Sequence, residues 1–189
     1  MNVIFLDFDG VLSTIHHSSN KDIEERIKLL AEICKEYNAK VVIEAAAKNA
    51  IDEETMEISD NALKVKYIFN LFKKYKIECI GRTPNVVKKI SNISYVDMWK
   101  EDEIRLYLYR HPEIDHYCII DDDDTKTLMH LTSSDLDKVR EHLVTPLYYT
   151  KTGEEEGLLI KHKYEISYIL AKDNEIKKYK LRSNKIKNS

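Results

Sequence analysis

Short apolar runs rich in β-branched residues alternate along this chain with longer segments of helical periodicity, and that alternation narrows the choice of fold sharply. The runs lie at Asn2 to Phe8, Lys40 to Ile43, Ile77 to Ile80, Tyr117 to Ile120 and His142 to Leu147, and each reads as a buried strand. A helix from Asn20 or Asp22 to Tyr37 carries Ile23, Ile27, Leu30, Ala31 and Cys34 at helical spacing. Further helices are predicted over Asn61 to Tyr75, Asp97 to Arg110, Ser134 to Glu141 and Lys163 to Ala171, and the alanines of Glu44 to Ala50 favour one more. Gly81 to Val96, with Gly81, Pro84 and several Asn and Ser, reads as loop. Strands alternating with helices predict an α/β chain: a three-layer, Rossmann-like fold around a central, mainly parallel five-stranded sheet.

The 189 residues suit one domain over residues 1–171, followed by a basic, flexible tail at 172–189 with seven Lys or Arg against two acids. A net charge of −3 gives the whole molecule no strong pull toward nucleic acid or anionic membrane. No run approaches the roughly 20 apolar residues of a membrane helix, and the five or so before Asp7 are too few for a secretory core. Cys34, Cys79 and Cys118 are scattered through apolar stretches and read as buried hydrophobes in a reducing compartment. A cytoplasmic location with no membrane partner is the expectation; nothing in the sequence sets an oligomeric state.

In an open parallel sheet, ligands bind beyond the carboxyl ends of the strands. Strand one ends in Asp7-Phe8-Asp9-Gly10, where alternation puts Asp7 and Asp9 on one side. Strand four runs into Asp121-Asp122-Asp123-Asp124, whose last two residues read as a solvated acidic loop. Two acidic clusters distant in sequence thus converge on one sheet edge. Carboxylates gathered this way repel one another, and a hard divalent cation such as Mg²⁺ resolves the conflict. Mg²⁺ takes one or two carboxylates and leaves room for a phosphoryl group, with one carboxylate placed to attack it.

Asp7-Phe8-Asp9-Gly10-Val11-Leu12, preceded by Val3-Ile4-Phe5-Leu6, resembles the first motif of the haloacid dehalogenase-like (HAD) superfamily, and Ile119-Ile120-Asp121-Asp122 resembles its fourth. With Gly81-Arg82-Thr83-Pro84, Glu103 to Leu108 and Gly157-Leu158-Leu159, the pattern is similar to the small uncapped HAD domains of RNA-repair (Swiss Army Knife) proteins, over about residues 1–160. The resemblance implies a Mg²⁺-dependent phosphohydrolase. Asp7 would be the nucleophile and Asp9 the general acid and base. The metal would be held by Asp7, the Asp9 carbonyl, Asp121 and Asp122. Ser13 to Lys21 is too short for more than a flap, so an open site would admit a phosphorylated small molecule or a nucleic-acid end.

The family's second motif calls for Ser or Thr at the end of strand two, where this chain reads Val41-Val42-Ile43-Glu44-Ala45-Ala46-Ala47-Lys48. A carboxylate there opposes a phosphoryl dianion by roughly 4 kcal/mol per pair of unit charges about 4 Å apart at an effective dielectric near 20. Three readings stand open. Glu44 turns away while the Ala45 and Ala46 amides hold phosphate with help from Asn49. Or it is neutralised, by a proton or by a lysine. Or the site binds a phosphorylated ligand or protein partner without turning it over. Lys100 is the first candidate for the family's charge-offsetting base and Lys48 the second. Thr83 is a candidate substrate contact. His16 and His17 on the flap, and Trp99, Tyr107, Tyr109, Tyr148 and Tyr149, are weaker candidates with ordinary surface or core explanations.

Overall fold

The computed structural model describes residues 1–85, 87–89, 95–97, 100–122, 141–146 and 157–171. In chain order its elements are β1 (Asn2–Leu6), α1 (Asn20–Tyr37), β2 (Ala39–Ile43), a 3₁₀ turn (Ala46–Ala50), α2 (Leu63–Tyr75), β3 (Cys79–Arg82), β4 (Val87–Lys89), β5 (Tyr95–Asp97), α3 (Lys100–Arg110), β6 (His116–Ile120), β7 (Leu143–Val144) and α4 (160–171). Five strands form one sheet in the order β3-β2-β1-β6-β7, and every pairing in it is parallel. The four helices flank it, giving the three-layer Rossmann-like fold.

Alternation along β1 explains the layers. Ile4 and Leu6 face one side, where Ile27, Leu30 and Ile33 of α1, Ile68 and Phe72 of α2, and Ile166 and Leu170 of α4 pack. Val3 and Phe5 face the other, against Ile104 and Tyr107 of α3. A strand buried on both faces has no room for polar alternation, which is why these runs read as continuously apolar. Tyr107 stands edge-on to Phe5 and stacks on His111, so its place is in the core.

Several boundaries differ from the sequence expectation. Ser19, not Asn20 or Asp22, caps α1: its hydroxyl accepts from the Asp22 amide (3.2 Å) while the Asp22 carboxylate accepts from the Ser19 amide (3.2 Å). Ile77 is the exit of α2 and not the start of a strand, because Lys76 turns left-handed (φ 59°) and the Ile77 amide bonds back to the Phe72 carbonyl. The third strand therefore runs on through Gly81 and Arg82. The expected loop from Gly81 to Val96 also contains an antiparallel ribbon, β4 with β5, whose three-residue strands are too short to show a period. Because Tyr95–Asp97 belongs to that ribbon, α3 starts at Lys100. Glu44 to Ala50 forms only the 3₁₀ turn, and the expected strand His142 to Leu147 is reduced to Leu143–Val144. The expected helix Ser134 to Glu141 as far as residue 140, together with Trp99, Asp123, Asp124, Tyr148, Tyr149 and the 172–189 tail, lies outside the described residues. Among the described residues no helix is long and apolar enough to cross a membrane.

Candidate active site

The carboxyl ends of β1, β2 and β6 stand side by side, so the residues just beyond them meet. Asp7 continues the β1–β6 pairing, its amide donating to the Ile120 carbonyl (3.0 Å), and Glu44 continues the β1–β2 pairing, its amide donating to the Leu6 carbonyl (2.9 Å). Beyond Asp7 the chain ties a tight knot. Leu12 and Ser13 donate to the Phe8 carbonyl (2.8 and 3.0 Å) and Gly10 donates to the Ser13 carbonyl (2.7 Å). Buried Phe8, Val11 and Leu12 anchor the knot in the core. Gly10 is required twice: its φ is +75°, and a Cβ there would run into the Asp122 carboxyl group. Buried Arg26 of α1 braces the knot from behind, donating to the Leu12 (3.0 Å) and His17 (2.9 Å) carbonyls.

Asp7, Asp121 and Asp122 each offer an oxygen within 4.8 Å of the others. Asp7 and Asp121 are buried and Asp122 is half-buried. The Asp7 carboxylate accepts from the Phe8 amide (2.7 Å) and from Lys100, whose Nζ lies 3.2 Å from Asp7, 2.8 Å from Asp121 and 4.0 Å from Glu44. Burial raises the Asp7 pKa, and the Lys100 charge only partly offsets that. Burial works against the charge of Lys100 as well, but Asp121, Asp7 and Glu44 together push its pKa above that of an ordinary lysine. Lys100 is therefore a fixed cation between the two acidic clusters.

Glu44 is buried to 1% exposure, and among the described residues neither of its oxygens has a hydrogen-bond partner. Burial pushes its pKa well above the usual carboxylate range; Lys100 and Lys48 pull it down, while Asp121 and Asp7 push it up. Buried Lys48 lies 3.8 Å from Glu44, donates to the Thr83 hydroxyl (3.0 Å), and bonds closely to Glu103.

The structure thus brings Asp7, Glu44, Lys48, Lys100, Asp121 and Asp122 together, and separates others from them. Asp9 is outside the buried cluster: β1 ends at Leu6, strand alternation stops there, and the Asp9 carboxylate is exposed (72%) and paired with Lys64 (2.7 Å), though its charge is near enough to add to the rise of the Asp7 pKa. Thr83, expected to touch substrate, is fully buried, and its hydroxyl is shared between Lys48 and the Ile43 carbonyl (3.5 Å). Ala45 is buried beside Glu44 at the entry to the 3₁₀ turn, and Asn49 accepts from Asn85 (2.8 Å). His16, His17 and Tyr109 are exposed. Two participants escaped the sequence reading. Glu103 had a usable signal, since it lies one turn beyond Lys100 on the same helix face. Lys64, an exposed residue of α2, had none.

Five carboxylates (Asp7, Glu44, Glu103, Asp121, Asp122) face two lysines (Lys48, Lys100) here. The family model for the HAD domain in Swiss Army Knife RNA repair proteins matches residues 3–158, from the start of β1 to the chain beside the knot. The chain belongs to this family. No curated protein and no solved structure matches it significantly. The acidic centre, beyond the ends of β1 and β6 with Glu44 following the neighbouring β2, lies within the matched span. A phosphohydrolase-type function is what membership suggests. The cluster also fits the divalent cation that HAD domains generally use: three close carboxylates supply hard oxygen donors, and the excess negative charge is what such an ion offsets.

Proposed function

We propose that this HAD domain is a Mg²⁺-dependent phosphatase acting through an aspartyl-phosphate on Asp7, with a phosphorylated nucleic-acid end as its substrate. One observation carries the reading: Asp7, Asp121 and Asp122 converge within 4.8 Å, and the Lys100 ammonium bridges Asp7 and Asp121. Asp7, Asp121, Asp122 and the Asp9 carbonyl are the groups to hold Mg²⁺, which supplies Lewis-acid polarisation of the phosphoryl oxygens and shields charge. An oxygen of Asp7 attacks phosphorus, the P–O bond to the leaving group breaks, and Asp9 gives that oxygen its proton. Asp9 then takes a proton from water as the water oxygen attacks the same phosphorus, and the acyl-phosphate P–O bond breaks to release phosphate and restore Asp7. Lys100 offsets the charge that builds on Asp7 and the transferring group. The family's setting in RNA repair and the short flap favour a bulky phosphorylated end over a small metabolite.

The test is hydrolysis of an aryl phosphate and of 3′- and 5′-phosphorylated RNA oligonucleotides, with Mg²⁺ and with EDTA. Turnover is expected only with Mg²⁺, and Asp7→Asn should lower it by about a thousandfold or more while the chain stays folded. Absence of turnover on every substrate would overturn the reading. The buried Glu44 favours one specific alternative, a catalytically weakened module that binds a phosphorylated ligand or protein partner. In that case Mg²⁺-dependent phosphate binding would persist without hydrolysis.

A further inference from the structure

A carboxylate stands where this family places a hydroxyl, and the chain around it is arranged to neutralise that carboxylate. Glu44 leaves β2 beside Asp7, fully buried, with no hydrogen bond to either oxygen among the described residues. The ammonium groups of Lys48 at 3.8 Å and Lys100 at 4.0 Å flank it. Lys100 is divided among three carboxylates and already lies on Asp7 and Asp121. Lys48 is shared between two, Glu44 and Glu103. It sits four residues after Glu44, across the 3₁₀ turn, and points back at it.

What holds Lys48 in place determines what it can do. An ammonium has three donors. One goes to Thr83, whose hydroxyl is in turn fixed to the Ile43 carbonyl, and one to Glu103. Glu44, at 3.8 Å, faces the ammonium by charge without a hydrogen bond. Glu103 is on α3, one turn from Lys100, and the charges alternate along a row: Lys100, Glu44, Lys48, Glu103. A lysine pinned in this way is not free to swing onto a substrate. Its effect passes through Glu44.

Resting on the phosphatase reading above, we propose that Lys48 is a positioning residue: held by Thr83 and Glu103, it cancels the charge of Glu44 and draws its carboxylate off the phosphoryl site, so that a phosphate group is tolerated next to Asp7. This explains how the site accommodates an acid in place of a hydroxyl. It also gives Thr83 a role without substrate contact.

A double-mutant cycle in the full chain tests this. Inorganic phosphate binding with Mg²⁺ is measured by calorimetry, together with kcat and KM on an aryl phosphate, for wild type, Lys48→Met, Glu44→Gln and the double variant. Lys48→Met should weaken phosphate binding by about tenfold or more in the wild-type background, because it leaves the buried carboxylate with Lys100 alone, which Asp7 and Asp121 already share. The same substitution in the Glu44→Gln background should change it by less than about twofold, because no charge remains to cancel. Lys48→Arg should restore binding. Should Lys48→Met fail to fold, Lys48→Arg and the double variant carry the comparison, with recovery of both fold and phosphate binding in the double variant expected. An equal loss in both backgrounds, or no loss in either, would overturn the role of Lys48 and leave the phosphatase reading intact. Failure of wild type and of Glu44→Gln alike to bind or turn over phosphate would overturn the phosphatase reading, and this proposal with it.

Discussion

Among single residues, Glu44 places the largest local demand on the fold. The pKa of its carboxyl group is held well above the usual carboxylate range, chiefly by burial, so the folded chain keeps a proton there at pH values where the unfolded chain has released it; above that raised value the ionised group depends on Lys48 and Lys100 for compensation. From its ordinary value of 4.5 up to its raised value in the fold, this group therefore lowers stability as pH rises. Asp22, Glu24, Asp52, Asp60 and Glu113 have lowered pKa values from their hydrogen bonds and act in the opposite sense: their stabilisation appears as pH rises through the carboxylate range. Those groups are the same in a variant and cancel in a difference, which reports Glu44 together with the neighbouring charges of Asp7 and Lys100 that it influences. The stability advantage of Glu44→Gln over wild type, from urea denaturation in EDTA, should grow as pH rises above 4.5. An advantage that is flat with pH would show that Glu44 is not held protonated by burial. The substitution of Glu for the family's hydroxyl was legible in the sequence. Its burial beside Lys100 was not, because Lys100 comes from α3 through chain folding, whereas Lys48 is only four residues away.

At the scale of elements, α1 shows how local signals position a distant site. Its buried stripe of Ile23, Ile27, Leu30 and Ile33 locks it to the sheet, and Arg26, within the same stripe, braces the knot that carries Asp7 into Gly10. The helix starts at a reciprocal cap between Ser19 and Asp22, and ends on Asn38 in left-handed conformation (φ 47°). Ser19→Ala removes the hydroxyl acceptor and should cost about 1 kcal/mol in urea denaturation. A cost near zero would mean that the flap, not the cap, fixes the start of α1. In α3 the same helical period serves two purposes. Ile104 and Tyr107 pack on the sheet, while Lys100 and Glu103 reach Asp7 and Lys48. The ribbon of β4 and β5 escaped the sequence because three residues per strand give no measurable alternation, and the Gly, Pro, Asn and Ser around it read as loop.

Across the whole molecule, the parallel sheet is what brings Asp7 and Asp121 together from positions more than a hundred residues apart. Ion binding to such a cluster occurs in the folded chain alone, so Mg²⁺ should raise the thermal midpoint, by the equivalent of about 2.7 kcal/mol at a hundredfold excess over its dissociation constant. The shift, measured by calorimetry against EDTA, should disappear in Asp121→Asn; an undiminished shift would place the ion elsewhere. The sequence by itself determined the family, the order of strands and helices, and the acidic pairs at the ends of β1 and β6. Apolar runs, helical periods and the Asp-x-Asp-Gly turn are properties of neighbouring residues. Tertiary structure alone decided that Lys100 lies on Asp7 and Lys48 on Glu103, that Thr83 is buried against Lys48, and that Asp9 turns to Lys64. Those contacts join side chains from different elements, and a long lysine finds its carboxylate only after the backbone has fixed both ends.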